Sequence, residues 1–153
     1  CGVKLLDEEL VILDADVRTA EECIRLAGEA FLQKGYVKEP YIQAVVERER
    51  VYPTGLPGKG IAIAIPHTNN TYVNKPAIGV VIPSSPVKFC AMGTKEQWLD
   101  CEVVIPLVIK DSDMQINMLR QMMKIIQNGE LLRKIRDSKD KRVILECLKS
   151  LEE

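Results

Sequence analysis

The stretch IAIAIP, residues 61–66, is an apolar run rich in isoleucine that ends in proline and predicts a buried strand. Three further apolar runs follow it: AIGVVIP (77–83), VKF (87–89) and VVIPLVI (103–109). We expect residues 61–66 to pair with residues 77–83. Runs that are apolar on both faces are typical of strands covered by helices on each side of a sheet. Pro106 cannot donate a ladder hydrogen bond, so a bulge or a sheet edge is predicted there.

The N-terminal part of the chain predicts one strand and two helices. Residues 9–13 (ELVIL) suit a strand, and Thr19 with a glutamate three residues later has the capping-box pattern that begins a helix. Gly35 is placed to end that helix, and Pro40 suits the first turn of the next one. Residues 53–60 contain two prolines and three glycines, so we predict a turn-rich loop without a regular element.

The C-terminal part is predicted to be helical. Apolar residues recur at helical spacing over 114–126, and one of the polar residues 111–113 is placed to cap that helix. The methionines of this helix favour a core role over a recognition surface for a partner. Gly129 closes the helix, residues 131–135 form a short turn, and a final helix covers 138–151. Together these elements predict a single α/β domain over the whole chain, residues 1–153.

The composition argues against several classes of protein. The chain has 153 residues, of which 46% are hydrophobic, and a net charge of −1, so it lacks the basic excess of nucleic-acid binders. The first fourteen residues carry four acidic side chains, which does not suit a secretory signal. No apolar run approaches the roughly 18 residues that cross a membrane, so we expect a cytoplasmic location. Five cysteines without a C-x-x-C pair predict reduced thiols, and no metal is expected.

His67 is the only histidine of the chain and follows a predicted buried strand directly. A side chain at that place is held rigidly, and we expect it to face solvent beside the polar residues 68–71. A neutral imidazole is nucleophilic near neutral pH, and its phosphorylated form suits a reversible phosphoryl relay. The alternative is a hydrogen-bonded histidine at a strand end that has no chemical role.

Two residues before the strand have side chains that suit an anion. The guanidinium of Arg48 can clamp phosphoryl oxygens with two hydrogen bonds, although a surface arginine paired with Glu47 or Glu49 is the alternative. The hydroxyl of Thr54 can donate to a phosphate, although ordinary turn chemistry is the stronger interpretation from its residue type alone. The glycines at 55–60 lack the spacing of a nucleotide-binding loop.

Three segments together carry a family resemblance: Arg48-Glu49, Pro53-Thr54-Gly55 and Ala64-Ile65-Pro66-His67. In this combination and order, the chain resembles the IIA components of the fructose–mannitol class of the bacterial sugar phosphotransferase system. The resemblance covers nearly the whole chain and implies a mixed β-sheet flanked by helices on both sides. It also implies that His67 accepts phosphate from the phosphocarrier HPr and donates it to a cysteine of a IIB component. Arg48 takes the place of the family's arginine near the phosphohistidine, and no cofactor is needed because the donor is a protein.

Two departures from the mannitol and fructose members point to the galactitol-type branch. The segment 54–67 is two residues longer than in those members, and their second histidine has no counterpart here. The matching place is near Gln115, whose amide is a candidate hydrogen-bond donor to the phosphoryl oxygens. Galactitol-type members are similar to this chain in both respects, so the resemblance predicts a galactitol-like IIA protein.

The same resemblance leaves an alternative function. IIA-like domains also occur as phosphorylation-sensing modules of transcription regulators. A binding protein without chemistry is a further possibility, in which His67 has only a structural role. For a phosphocarrier we expect a transient interface of modest size, with a shallow apolar patch around the histidine. The sugar itself is selected by the membrane IIC partner.

Overall fold

A computed structural model describes residues 4–153 of the chain, and these contain a seven-stranded sheet. One strand and two helices come first, six consecutive strands follow, and the chain ends in helices. In chain order the elements are β1 (Leu6–Ala15), α1 (Ala20–Gln33), α2 (Pro40–Val51), β2 (Gly55–Pro57), β3 (Ala62–Ala64), β4 (Ala77–Pro83), β5 (Val87–Cys90), β6 (Trp98–Val104), β7 (Leu107–Val108), α3 (Ser112–Ile126), α4 (Gly129–Asp137), α5 (Lys141–Cys147) and a closing 3-10 turn (Lys149–Glu152).

The sheet is mixed and carries helices on both faces. The strand order is β1-β4-β6-β3-β2, with β5 paired to β6 and β7 paired to β4. The pairs β1–β4 and β3–β6 are parallel, whereas the remaining pairs are antiparallel. Val81 of β4 packs in one core with Phe31 of α1 and Tyr41 of α2, while its neighbour Val80 packs in a second core with Met118 of α3. The predicted α/β fold with a mixed sheet between helices is confirmed.

Several predicted elements lie where expected. Strand β4 has the predicted bounds, and β1 extends the predicted strand at both ends. The side chain of Thr19 accepts a hydrogen bond from the N–H of Glu22 and caps α1, as the capping-box pattern predicted. Asp111 is the cap of α3, because its side chain accepts the N–H of Met114 at 2.8 Å. Met118 is fully buried, so the core reading of the methionine-rich face is correct there.

The predicted pairing of residues 61–66 with 77–83 is wrong. Strand β3 pairs with β2 and β6, and β6 lies between β3 and β4. The chain after β6 continues along the same side: the N–H of Ile105 donates to the carbonyl of Ala64 at 2.8 Å, and the N–H of Leu107 donates to that of Pro66 at 3.0 Å. These bonds occupy the edge of β3 that a hairpin with residues 77–83 would need.

Two predictions about breaker residues had different outcomes. Residues 55–57 form the short strand β2 rather than part of an irregular loop, so that prediction is wrong. Pro57 is tolerated because β2 is the outer strand of the sheet, where no further strand needs its missing N–H. At Pro106, where a bulge or a sheet edge was predicted, the strand is instead interrupted: Pro106 separates β6 from β7, and both strands pair with β4 in the same register.

The predicted turn at residues 131–135 is also wrong. Gly129 begins α4 rather than only closing α3, because the side chain of Asn128 accepts the N–H of Leu131 at 3.1 Å and caps a new helix. Leu132 and Ile135 of this helix are fully buried against the sheet core. The final predicted helix is divided into α5 and the closing 3-10 turn.

Cysteines and membrane segments complete the description. The cysteines at positions 23, 90, 101 and 147 are free thiols, and Cys1 lies outside the described residues. Burial raises the pKa of Cys23 and of Cys101 to about 12, so both are protonated at neutral pH. Across residues 4–153, no helix combines the length and hydropathy needed to cross a bilayer.

Candidate functional site

The ring of His67 is oriented by the backbone just before it. Its Nδ1 atom lies 2.7 Å from the carbonyl oxygen of Ile65. A carbonyl can only accept a hydrogen bond, so Nδ1 carries the hydrogen and the other ring nitrogen, Nε2, keeps its lone pair in the neutral ring. Because Pro66 and the end of β3 are hydrogen-bonded to the chain after β6, the carbonyl that holds the ring is itself fixed by the sheet. The histidine is therefore presented in one tautomer.

His67 is less accessible than the sequence suggested. Its side chain is only 5% exposed, so the expectation that it faces solvent is wrong. The segment after it folds back onto the chain beyond β7, where the amide of Asn70 donates to the carbonyl of Lys110 at 2.8 Å. Burial lowers the pKa of His67, the hydrogen bond to Ile65 opposes this shift, and the charge of Arg48 lowers the pKa further. The ring is thus held in its neutral, nucleophilic form.

Arg48 brings a fixed positive charge to this region. It lies in the last turn of α2, and its guanidinium stacks on the ring of Tyr52, with 5.1 Å between the guanidinium carbon and the ring centroid. Within residues 4–153, its Nε is the one buried side-chain nitrogen or oxygen that lacks a hydrogen-bond partner. A buried N–H without a partner is costly, and a phosphoryl oxygen would satisfy it. A phosphoryl oxygen could reach this shielded atom only if the side chain moves, so the clamp role of Arg48 stays a prediction.

Thr54 is engaged with Glu49, a residue that sequence reasoning considered only as a partner for Arg48. The hydroxyl of Thr54 donates to Glu49 Oε1 at 2.8 Å, and its N–H donates to Oε2 at 2.8 Å. Thr54 is 3% exposed. A bond from its hydroxyl to a phosphoryl oxygen would require the hydroxyl to leave Glu49, and that role stays a prediction. A spacing of five residues between Glu49 and Thr54 matches neither helical nor strand periodicity, so no sequence signal marks this pair.

Gly55 packs closely against the backbone of the β5–β6 hairpin. Its carbonyl accepts the N–H of Met92 at 2.8 Å, and a Cβ atom added to it would lie 2.6 Å from the carbonyl oxygen of Cys90. Contacts that short do not occur between a real Cβ and a backbone oxygen. The turn that carries Thr54 can approach the hairpin this closely only because residue 55 has no side chain.

Gln115 makes none of the side-chain hydrogen bonds described so far. It occupies the first turn of α3, where its N–H donates to the carbonyl of Asp111 at 3.1 Å. The hydrogen bonds that join His67, Thr54 and Glu49 do not involve its amide. Its predicted contact with a phosphoryl group stays a prediction.

A cavity of about 480 Å³ opens between α1, the end of α2 and the β5–β6 hairpin. Its walls include Ile24, Val46, Phe89 and Trp98, and Glu49 is one of several polar residues that line it. His67 does not line it, so this cavity is separate from the reactive nitrogen. Over the described part of the chain, no group of three or more histidine, cysteine or acidic side chains is arranged to hold a metal ion.

Residues 4–151 match the family described as "Phosphoenolpyruvate-dependent sugar phosphotransferase system, EIIA 2". The chain belongs to this family. It is thus an EIIA phosphotransfer component, and the fold and the histidine at the end of β3 fit that assignment. The match covers nearly all of the residues that the structure describes.

Individual EIIA-containing relatives differ in their stated sugar. The chain is 30% identical over 151 residues to the mannitol-specific EIICBA component of Pasteurella multocida, which covers 95% of this chain but only 23% of that longer protein. It is 28% identical over 111 residues to the galactitol-specific EIIA component of Escherichia coli K12, which covers 72% of this chain and 73% of the relative. Mannitol and galactitol relatives are therefore both similar to it.

Solved EIIA structures have the same fold. The crystal structure of IIA mannitol from Escherichia coli superposes with a TM-score of 0.77 at 25% identity and covers 95% of this chain and 99% of that one. A complex of the Escherichia coli enzyme IIA mannitol with phosphorylated enzyme IIB mannitol superposes with a TM-score of 0.78 at 23% identity and covers the same share of each chain. These superpositions extend over nearly the full length of both chains.

Proposed function

We propose that this EIIA protein accepts a phosphoryl group from phospho-HPr on Nε2 of His67 and passes it to a cysteine of a IIB component. The observation that carries the proposal is the bond between Nδ1 and the Ile65 carbonyl, which leaves Nε2 as the free nucleophile. The depressed pKa of His67, caused first by burial, keeps that nitrogen unprotonated at neutral pH. Arg48 supplies the nearby positive charge and an unpaired N–H.

The transfer can be written with every electron pair placed. The Nε2 lone pair forms the new bond to phosphorus while the bond from phosphorus to the donor atom breaks, and the electron pair leaves on that donor atom. The hydrogen stays on Nδ1, so the ring becomes positively charged, and the carbonyl of Ile65 stabilises that charge. When a IIB thiolate attacks the phosphorus, the N–P bond breaks and its electron pair returns to Nε2. The positive charge of Arg48 stabilises the negatively charged phosphoryl oxygens both when His67 accepts the group and when it passes the group on.

A partner surface beside Arg48 supports exchange with other proteins. Val51 is 67% exposed and Tyr52 is 62% exposed, and Tyr52 is the ring on which the Arg48 guanidinium stacks. Exposed apolar and aromatic side chains next to a reactive group are typical of a protein-docking surface. The Escherichia coli relative that forms a complex with its phosphorylated IIB component makes a IIB partner the natural acceptor.

For the sugar, we propose galactitol or a related polyol. The support is the longer 54–67 segment and the glutamine at position 115 where mannitol members have a second histidine. A galactitol-specific relative covers most of the chain, although a mannitol-specific one is equally similar in identity. The protein would act in the cytoplasm, upstream of a membrane IIC component that binds the sugar.

Intact mass after incubation with phosphoenolpyruvate, enzyme I and HPr tests the carrier role. Wild type should gain one phosphoryl mass, and His67→Ala should gain none. No gain in folded wild-type protein with active HPr would contradict the proposal. Purified galactitol-type and mannitol-type IIB proteins can then be offered to the phosphorylated protein, and faster transfer to the first supports the sugar assignment. A protein that takes up phosphate but passes it to neither would favour the regulatory alternative.

A further inference from the structure

Glu49 has a carboxylate that is held almost entirely by one neighbour. It lies in the last turn of α2, and both of its oxygens accept hydrogen bonds from Thr54, one from the backbone N–H and one from the hydroxyl, each at 2.8 Å. Two bonds from one residue fix both the position and the rotation of that residue. The carboxylate therefore sets the conformation of the Pro53–Gly55 turn that joins α2 to β2.

A continuous path of hydrogen bonds leads from Glu49 to the reactive histidine. The carbonyl of Thr54 accepts the N–H of Ile65 at 3.3 Å. The carbonyl of the same Ile65 accepts the Nδ1 hydrogen of His67 at 2.7 Å. The N–H and the carbonyl of Ile65 belong to successive peptide units joined at its Cα, so a change in the position of Thr54 is transmitted through this Cα to the carbonyl that fixes the histidine tautomer.

Resting on the function proposed above, we propose that Glu49 is a positioning residue for phosphoryl transfer. It fixes Thr54, Thr54 binds the N–H of Ile65, and the carbonyl of the same residue holds His67 with Nδ1 protonated and Nε2 free. Glu49 does not need to touch the phosphoryl group. Its contribution is to keep one tautomer and one ring orientation populated, which saves the reorganisation that would otherwise accompany each transfer.

The burial of the Glu49 carboxylate supports a specific positioning role for this residue. Burial raises the pKa of Glu49 to about 7, and the two bonds from Thr54 and the charge of Arg48 counteract that shift only in part. A carboxylate at such a site costs stability, whereas an apolar side chain facing the cavity wall of Val46 and Phe89 would not. The specific bonds to Thr54 are what a glutamate provides there and an apolar residue cannot.

Two substitutions separate the hydrogen bonds from the charge. Glu49→Ala removes both bonds to Thr54. Glu49→Gln can keep both, because its Oε1 accepts the Thr54 N–H while its Nε2 donates to the Thr54 hydroxyl oxygen. Glu47→Ala is the matched control, since Glu47 is an exposed glutamate of the same helix end and makes no bond to Thr54.

Two measurements apply to each variant. One is the rate of phosphoryl uptake from phospho-HPr, and the other is the tautomer of His67 from ¹⁵N chemical shifts of the unphosphorylated protein. The chain has a single histidine, so its ring signals need no assignment. Because the tautomer is read without any donor, it tests the positioning role even if wild type fails to accept phosphate. Failure of the carrier function is therefore distinguishable from failure of this inference.

The expected pattern is specific. Glu49→Ala should reduce the rate about tenfold and give a mixture of tautomers, as expected for the loss of a hydrogen bond to a charged group. Glu49→Gln and Glu47→Ala should keep the wild-type tautomer and a rate within about twofold of wild type, well under the effect of one such bond. A folded Glu49→Ala protein with an unchanged tautomer and rate would overturn the inference. So would a Glu49→Gln protein that behaves like the alanine variant, because the charge and not the bonds would then matter.

A milder variant covers the case in which Glu49→Ala does not fold. Thr54→Val removes the hydroxyl bond and leaves the backbone N–H bond to Glu49. Thr54→Val should change the tautomer populations of His67 and the uptake rate less than Glu49→Ala does. Thr54→Ser keeps the hydroxyl and should restore both to the wild-type values. If both variants had the same His67 tautomer and the same uptake rate as wild type, the proposed coupling of Glu49 to His67 through Thr54 would be contradicted.

Discussion

The Nδ1 atom of His67 lies 2.7 Å from the carbonyl oxygen of Ile65, so the chain's reactive ring is held by the backbone two residues before it. The direct partner that selects the tautomer is a backbone carbonyl, and the role proposed for Glu49 acts on that carbonyl only through Thr54. The carbonyl is in turn part of the strand end that β6 and the following residues stabilise. This arrangement makes the chemistry of the ring depend on the integrity of the sheet.

An NMR titration should find the pKa of His67 below the usual value of about 6.5. Burial disfavours the imidazolium and Arg48 repels it. Since the unfolded chain then binds the proton more readily than the folded one, the free energy of unfolding should fall as the pH drops below about 6.5. A pKa above that of a histidine-containing model peptide, or a ring protonated on Nε2, would contradict the geometry.

Replacing Arg48 should slow phosphoryl uptake while the protein stays folded. Arg48→Ala removes the charge and the unpaired Nε donor, and a loss of about 100-fold is expected for one such transition-state donor. Arg48→Lys should restore part of the rate, because lysine keeps the charge but lacks the planar pair of donors. Uptake from phospho-HPr measured by quenched mass spectrometry gives the rates.

Arg50→Ala is the control for that experiment. Arg50 belongs to the same helix end but is exposed and pairs with Glu21 at 3.0 Å. Exposed pairs contribute little, so its rate and stability should stay close to those of wild type. An equal loss in both alanine variants would indicate a general effect of surface charge on docking rather than a clamp.

Replacing Gln115 tests whether the residue at the position of the missing second histidine contributes to phosphoryl uptake. If its amide donates to a phosphoryl oxygen, Gln115→Ala should reduce the rate of uptake about tenfold, the effect of one hydrogen bond to a charged group. Gln127→Ala, at the other end of the same helix, should have no effect. A rate for Gln115→Ala equal to that of the Gln127 control would remove Gln115 from the site.

Glu49 should also give the protein a measurable pH dependence of stability. Its pKa is raised from 4.5 to about 7, so the ionised carboxylate is disfavoured in the folded state. Stability that is present below the unfolded pKa is therefore lost as the pH rises through the folded value near 7. In urea unfolding at pH 5 and pH 8, Glu49→Gln should gain stability relative to wild type at the higher pH. A difference that does not change with pH would argue against a raised pKa.

The methionine face of α3 gives a test of the core. Met118 is fully buried, and Met118→Ala should lower the free energy of unfolding by about 2–5 kcal/mol, the usual cost of truncating a buried methionine. Met123 of the same helix is 46% exposed, and Met123→Ala should change the free energy of unfolding by less than about 0.5 kcal/mol. Equal effects on denaturant midpoints would contradict the assignment of the two faces.

The sequence predicted the layers of this fold better than its strand order. Apolar runs such as residues 77–83 are buried on both faces, and that property can be read from composition alone. Pairing depends on which strand inserts between two others, and nothing near residues 61–66 indicates that β6 does so. Helix α4 was missed because its cap, Asn128, stands next to a glycine that resembles the end of a helix.

The candidate site shows the same limit. His67 stood out because it is alone and follows a strand, but neither property indicates that this residue is only 5% exposed in the folded chain. From its residue type, Thr54 was a reasonable hydrogen-bond donor to a phosphate, yet its hydroxyl donates to Glu49. Such a bond between two polar residues five positions apart has no periodic signature, so only the three-dimensional structure reveals it.

Gly55 carries a consequence for how this sequence can evolve. Its missing side chain leaves room for the Cys90 carbonyl, and any Cβ at that place would push two backbone segments apart. Mutation can exchange Thr54 for serine and keep a hydroxyl, but no other amino acid can take the place of the glycine without rebuilding the hairpin beside it. Natural variation should therefore leave position 55 unchanged in every lineage that keeps this turn, even while the surface around it diverges.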